Sequence, residues 1–264
     1  MLSTALPRYR GKIRAAIVFF TLLCPLVSTA ADPKYGPKDK PLAVPLAADN
    51  AYFREGAPAP DFWALSPFYT PQFNSYACSA AAAAMALNAL LNTARVRGDE
   101  EQNIDQQELI AGIPDWNALL SKEGLKGRHG VTLEQLTGFL AEVLKARGAG
   151  VYGVLKQTRP DLTEKSLLEL HTVLEENERN PNDIMLAHFT QDSLTLAKGG
   201  PYPHVSPIGA YDAKRRRVLI FDVDRQYYEP YWVSELDLLK AMTVSTPDFG
   251  RGGFVLIGKR DVKN

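Results

Sequence analysis

The 264-residue chain reads as an α+β protein. Three observations predict this class: apolar residues recur at helical spacing through the first half, the apolar period drops to two in the second half, and the proline-rich start shows neither period.

The start is read first. Arg8, Arg10, Lys12 and Arg14 precede an apolar stretch from Ala15 to Ala30 that closes on "VSTAA", the pattern of a secretory signal peptide. Thr21 and Pro25 interrupt the stretch, and it is shorter than the roughly 20 apolar residues of a membrane-spanning helix. Residues 1–31 are therefore assigned to a signal peptide cleaved after Ala30 or Ala31, with an uncleaved anchor as the alternative. The mature protein is expected to be secreted, in the periplasm, without stable membrane association. Residues 32–50 read as an extended, proline-rich arm, and 51–264 as one catalytic domain.

Charge and cysteine usage narrow the function classes. The whole chain has a formal net charge of +0, and residues 1–31 carry four basic and no acidic side chains, so the mature part stands at −4. That balance argues against nucleic acid and anionic membrane as partners. Cys24 departs with the signal peptide, which leaves Cys78 as a lone thiol with no partner for an internal disulfide.

Helices are predicted at "CSAAAAAMALNALL", at "DQQELIAGI", and at "VTLEQLTGFLAEVLKARG", where Leu133, Leu136, Leu140, Val143 and Leu144 share one face. Thr132 and Gln135 form a capping box for the last of these, and Gly148 closes it. "SLLELHTVLEENER" is a further helix. Strands follow at "DIMLAHFT", "PHVSPIGAY", "RVLIFDVD" and "GFVLIGK", with one helix at "VSELDLLKAM" among them.

With four histidines, no C-x-x-C and no H-E-x-x-H, neither a metal site nor a cofactor is expected. No G-x-S-x-G elbow or phosphate loop is present either. The chemistry falls to ordinary side chains, among which a thiol is the best nucleophile. Cys78 stands at the first turn of its helix, where the macrodipole favours thiolate. A small buried apolar residue is the other reading of the same position. Of the histidines, His171 sits in an amphipathic helix, His129 in a solvated "GRHGV" loop, and His188 within an apolar strand as a core residue.

His204 differs. It opens a strand joined through "DAKRRR" to a second strand carrying Asp222 within an apolar run, and a hairpin centred on Ala213 sets His204 opposite Asp222. A buried aspartate needs such a partner; a satisfied core contact is the other reading of the pair. Pro207 argues for an edge or a bulge in the first of these strands. Cysteine at a helix start, histidine on a strand and an orienting acid form the papain-like arrangement of nucleophile, base and orienter. Gln72, six residues before Cys78, then has a use: with the backbone N–H of Cys78 its amide is placed to donate to an oxyanion. Without Cys78 behind it, Gln72 is an ordinary loop residue.

The blocks "DFWALSPFYTPQFNSYACSAAAAAMALNAL" and "HVSPIGAYDAKRRRVLIFDVDRQYYEPYWVSELDLLKAM", with "RGGFVLI" beyond, resemble the phytochelatin synthase family from about Tyr52 to Ile257. The resemblance implies a papain-like thiol acyltransferase acting on glutathione, free or as its metal thiolate complex. Cys78 then attacks the Cys–Gly bond, releases glycine and carries a γ-glutamylcysteinyl thioester, which passes to a second glutathione or to water. It implies His204 as base and acid, Asp222 as orienter, Gln72 as oxyanion donor and Arg251 as ligand of a substrate carboxylate, and it allows a homodimer. A papain-like peptidase or amidase on other peptides, and a silent glutathione-binding module, are the competing functions. The chain departs from the family pattern in having Ser79 after the cysteine in place of glycine and Glu229 in place of a proline. With no cysteine after Cys78 it resembles the short bacterial members, for which hydrolysis is expected to dominate.

Overall fold

The structure is a computed structural model that describes residues 42–91 and 103–260. The predicted signal peptide and most of the predicted arm lie outside the described residues. In chain order the elements are β1 (Val44–Pro45), α1 (Ala51–Arg54), α2 (Pro60–Leu65), α3 (Cys78–Leu90), α4 (Gln106–Ala111), α5 (Pro114–Leu120), α6 (Leu133–Ala146) and β2 (Tyr152–Thr158). Then come α7 (Glu164–Arg179), β3 (Asp183–Thr190), α8 (Asp192–Thr195), β4 (Pro203–Asp212), β5 (Arg217–Ile220), β6 (Tyr231–Ser234) and α9 (Glu235–Thr243), and finally β7 (Ser245–Thr246), β8 (Gly250–Arg251) and β9 (Gly253–Lys259).

Seven strands form one antiparallel sheet in the order β1-β6-β5-β4-β3-β9-β2. Its two faces are covered by different helices. Ile184, Leu186, Val205, Val255 and Ile257 pack with α3 to α6, whereas Met185, Ala187, Phe189, Ile208 and Val218 pack with α7 and α9. All eight residues of β3 are buried, because side chains that alternate across a central strand meet a core on both faces. This is why "DIMLAHFT" is a continuous apolar run and not an alternating one.

The predicted mixture of helix and antiparallel sheet is present, with changes at particular elements. The Thr132–Gln135 capping box opens α6 as expected, both of its reciprocal hydrogen bonds being made. β2 falls in the half read as helical and pairs with β9, close to the end of the chain. The end of the arm is a strand: β1 adds to β6, with Val44 opposite Trp232 and Pro45 opposite Tyr231.

α3 carries the cysteine. Every residue from Cys78 to Leu90 except Ala89 is buried, as a helix apolar all round should be. Its alanines let the helix lie close against β4, at the cost of the roughly 1.5–3 kcal/mol that each larger apolar side chain contributes when buried. Asn88 is accommodated by a reciprocal pair of bonds with the main chain of Ile104, at 3.0 and 2.8 Å.

Candidate active site

Four chain segments converge on one end of the sheet around a cleft of about 1180 Å³, whose lining includes Gln72, Tyr76, Cys78, His129, Gln191, His204 and Arg225. Cys78 begins α3, and no side chain caps that helix. The cysteine is free and 8% exposed. His204 lies near the start of β4, opposite Phe189 of β3, whose ring meets the imidazole edge to face at 5.7 Å. The imidazole Nε2 bonds Asp222 Oδ1 at 2.9 Å, and the ring is close enough to Cys78 for thiol and imidazole to interact. With Nε2 committed to the carboxylate, Nδ1 is the nitrogen left for the sulfur.

The His204–Asp222 contact forms, but through a different register from the one predicted. The hairpin pairs Asp212 with Arg217 and Tyr211 with Val218, so its centre lies between Lys214 and Arg215 and not at Ala213. A bulge at Gly209 then shifts the pairing to Ile208 opposite Ile220. Glycine is required there, since a Cβ at Gly209 would stand 2.3 Å from Cδ2 of Phe221. Asp222 lies beyond the end of β5, near the level of Ser206, and reaches His204 diagonally. Pro207 sits in an interior strand, not at an edge: its carbonyl accepts from Phe221 N–H at 2.9 Å just before the bulge.

Asp222 is fully buried and every donor around it is accounted for. Oδ1 accepts from His204 and from the Asp224 N–H at 2.8 Å; Oδ2 accepts from the Tyr231 hydroxyl at 2.8 Å; Gln191 Nε2 lies 2.9 Å from Oδ2 and 3.2 Å from Oδ1. Burial alone would raise the Asp222 carboxyl, yet the charge of His204 and these hydrogen bonds hold it below the usual carboxylate range. Burial alone would likewise depress His204, but the charge and hydrogen bond of Asp222, with Cys78 beside it, bring it well above the ordinary imidazole range. The pair is thus a buried imidazolium–carboxylate couple facing a thiol.

The other predicted residues take different places. Gln72 lines the cleft with its main-chain N–H bonded to Val223 O at 2.9 Å and its side-chain Oε1 buried without a hydrogen-bond partner among the described residues. Arg251 does not reach the cleft. It lies on the short strand β8, with its guanidinium on Asp161, so its position gives no support to binding a substrate carboxylate. His188 is a core histidine as read: Nε2 bonds Val131 O at 3.0 Å, and burial pushes it down to about 4. His171 belongs to a separate polar network with Tyr211 and Glu235, at 2.6 and 3.1 Å.

His129 is not a solvated loop residue. Its ring stacks on Tyr76 at 4.1 Å and 19°, and both line the cleft. Gln191 and Tyr231 were missed altogether, since nothing local marks either as a neighbour of Asp222. Ser79, where the family pattern has glycine, turns away from the cleft and accepts from Trp116 Nε1 at 3.0 Å. Among the described residues no three His, Cys, Asp or Glu side chains cluster to hold a metal ion, and no helix is long and apolar enough to cross a membrane.

An α+β domain with cysteine and histidine lining one cleft, and an aspartate bonded to the histidine behind it, has the side-chain set of a thiol-dependent acyl-transfer site. The model of the phytochelatin synthase family matches residues 49–253, and the chain belongs to that family. It is 46% identical over 57 residues to glutathione gamma-glutamylcysteinyltransferase 1 of Arabidopsis thaliana, a stretch that covers 21% of this chain and 12% of the plant protein.

Proposed function

We propose that the protein is a papain-like thiol enzyme that cleaves the Cys–Gly bond of glutathione. The observation that carries this reading is that Cys78 and His204 line one cleft, with His204 bonded to Asp222, in a family member. The Cys78 thiolate attacks the scissile carbonyl carbon, forming a C–S bond. The charge that develops on oxygen is met by the Cys78 N–H and the Gln72 amide. As the C–N bond breaks, the proton on His204 passes to the departing glycine nitrogen, leaving a γ-glutamylcysteinyl thioester on Cys78. Neutral His204 then takes a proton from water or from the amine of a second glutathione as the water oxygen or amine nitrogen bonds the thioester carbonyl carbon; the C–S bond breaks, γ-glutamylcysteine or a phytochelatin leaves, and the Cys78 thiolate and protonated His204 are restored. Asp222 keeps the imidazole oriented throughout and stabilises its charged form. Hydrolysis is proposed to exceed chain building, and the site of action is proposed to be the periplasm.

The test is incubation of the mature protein with glutathione, with mass analysis of the products and of the acylated enzyme. Free glycine together with an adduct on Cys78 is the expected result. Release of glycine without any adduct in a quenched turnover, or no release at all, would refute the mechanism.

A further inference from the structure

Asp222 is surrounded by more donors than orienting one imidazole requires. His204 and the Asp224 N–H use Oδ1, while Tyr231 and Gln191 come from two other parts of the fold. Tyr231 lies on β6, between Pro45 of β1 and Ile220 of β5, and is 0% exposed. Gln191 follows the last residue of β3 and is held by its main chain: its N–H donates to Tyr202 O at 2.9 Å, and its carbonyl accepts from the Thr195 hydroxyl at 3.0 Å. Gln191 also lines the cleft, whereas Asp222 behind it does not. The glutamine amide therefore stands between the carboxylate and the space that substrate and water occupy.

We infer that Gln191 and Tyr231 are positioning residues for the reaction, a two-sided clamp that fixes the Asp222 carboxylate against His204 and closes it off from the cleft. The inference rests on the proposed roles of Cys78, His204 and Asp222. Its physical basis is that a buried carboxylate stays ionised only where several donors replace its water. Donors held by two separate elements also fix the rotation of that group, and so the direction in which it holds His204 Nε2. Tyr231 suits the task, because burial, with the Asp222 charge next, drives its hydroxyl well above the ordinary phenol range and keeps it a neutral donor. Gln191 has no charge to lose.

The experiment uses Tyr231→Phe and Gln191→Met, which preserve shape and remove only the donors, each in the parent and in an Asp222→Asn background. Glycine release from glutathione and the rate of iodoacetamide alkylation of Cys78 are measured side by side, with thermal melting to verify folding. In the parent background each substitution is expected to lower kcat by roughly 10-fold with KM within two-fold, and to slow alkylation in parallel. In the Asp222→Asn background each should cost less than three-fold, because the clamp acts through that carboxylate. Equal losses in both backgrounds, or kcat unchanged in the parent, overturn the clamp. Should one variant fail to fold, the other, on a different element, decides. Rapid alkylation that the substitutions slow, without any glycine release, would refute glutathione cleavage and leave the clamp standing. Glycine release insensitive to both substitutions would do the reverse, and a parent thiol no faster than free cysteine overturns both.

Discussion

Replacing Asp222 by asparagine isolates the charge of the orienting group from its shape. The His204–Asp222 bond is 2.9 Å long, and both residues are shut off from solvent, at 5% and 0% exposed. At an effective dielectric of about 20, opposite unit charges in such contact attract by about 4 kcal/mol. Asparagine keeps one acceptor oxygen for His204 Nε2, and a neutral hydrogen bond returns about 1–1.5 kcal/mol of that. The remaining loss, near 3 kcal/mol, corresponds to roughly 10²-fold in the population of imidazolium that must face the thiolate. The new amide NH2 also meets donors already in place, Tyr231 Oη and Gln191 Nε2 or the Asp224 N–H, which adds a stability cost of about 1–3 kcal/mol. Two assays read the catalytic loss: steady-state glycine release from glutathione, and alkylation of Cys78 by iodoacetamide near neutral pH. Both should fall by roughly 10², with KM little changed. A folded variant that keeps both rates within three-fold of the parent would refute the claim that Asp222 acts through its charge.

Cys78→Ala should abolish glycine release and Cys78→Ser should leave only a trace, since a hydroxyl ionises far less readily than a thiol; His204→Ala should be nearly as damaging and worse than Asp222→Asn. Near-normal turnover of Cys78→Ala in the glycine assay would end the thioester mechanism. Gln72→Ala should lower kcat by roughly 10²–10³ if its amide donates to the oxyanion, and a two-fold change would return it to the status of a loop residue. His188 yields a stability prediction. It is held neutral in the fold with its pKa near 4, while the unfolded chain takes up the proton near the ordinary value of 6.5. The unfolded state therefore binds more protons within that window, and stability falls as the pH drops from about 6.5 to about 4, by about 3 kcal/mol from this group. Urea unfolding across that range should show His188→Gln losing this part of the slope, and identical slopes would place the proton elsewhere.

The elements legible in the chain are those whose own residues decide them. α6 declares itself through one apolar face and the Thr132–Gln135 box, because both the period and the cap are local. Cys78 and His204 could be picked out because each residue type at the start of its element suggests one chemistry. β2 was not legible: its burial is partial and irregular, its pairing with β9 is interrupted by a bulge, and its partner lies about a hundred positions along the chain. The sequence also could not place Arg251, since the choice between a substrate carboxylate and Asp161 depends on where the segment before α7 runs relative to β8.

At the site, the sequence by itself determined the inventory: one thiol at a helix start, a histidine opening a strand, an aspartate in the next apolar run, and a glutamine just upstream of the thiol. The tertiary structure decided how these groups meet. The turn, pairing Asp212 with Arg217, set the hairpin centre beyond Ala213, and the bulge at Gly209 shifted it back by only half a position, so that His204 and Asp222 touch diagonally, beyond the end of β5. It also supplied Gln191 and Tyr231, which are 31 and 9 residues from Asp222 in sequence but 2.9 and 2.8 Å from its carboxylate. The physical reason is that period and capping are properties of a few adjacent residues. The ionisation of a buried carboxylate is set instead by every donor within about 3 Å of it, and a sheet folded between two cores draws those donors from strands that only long-range pairing brings together.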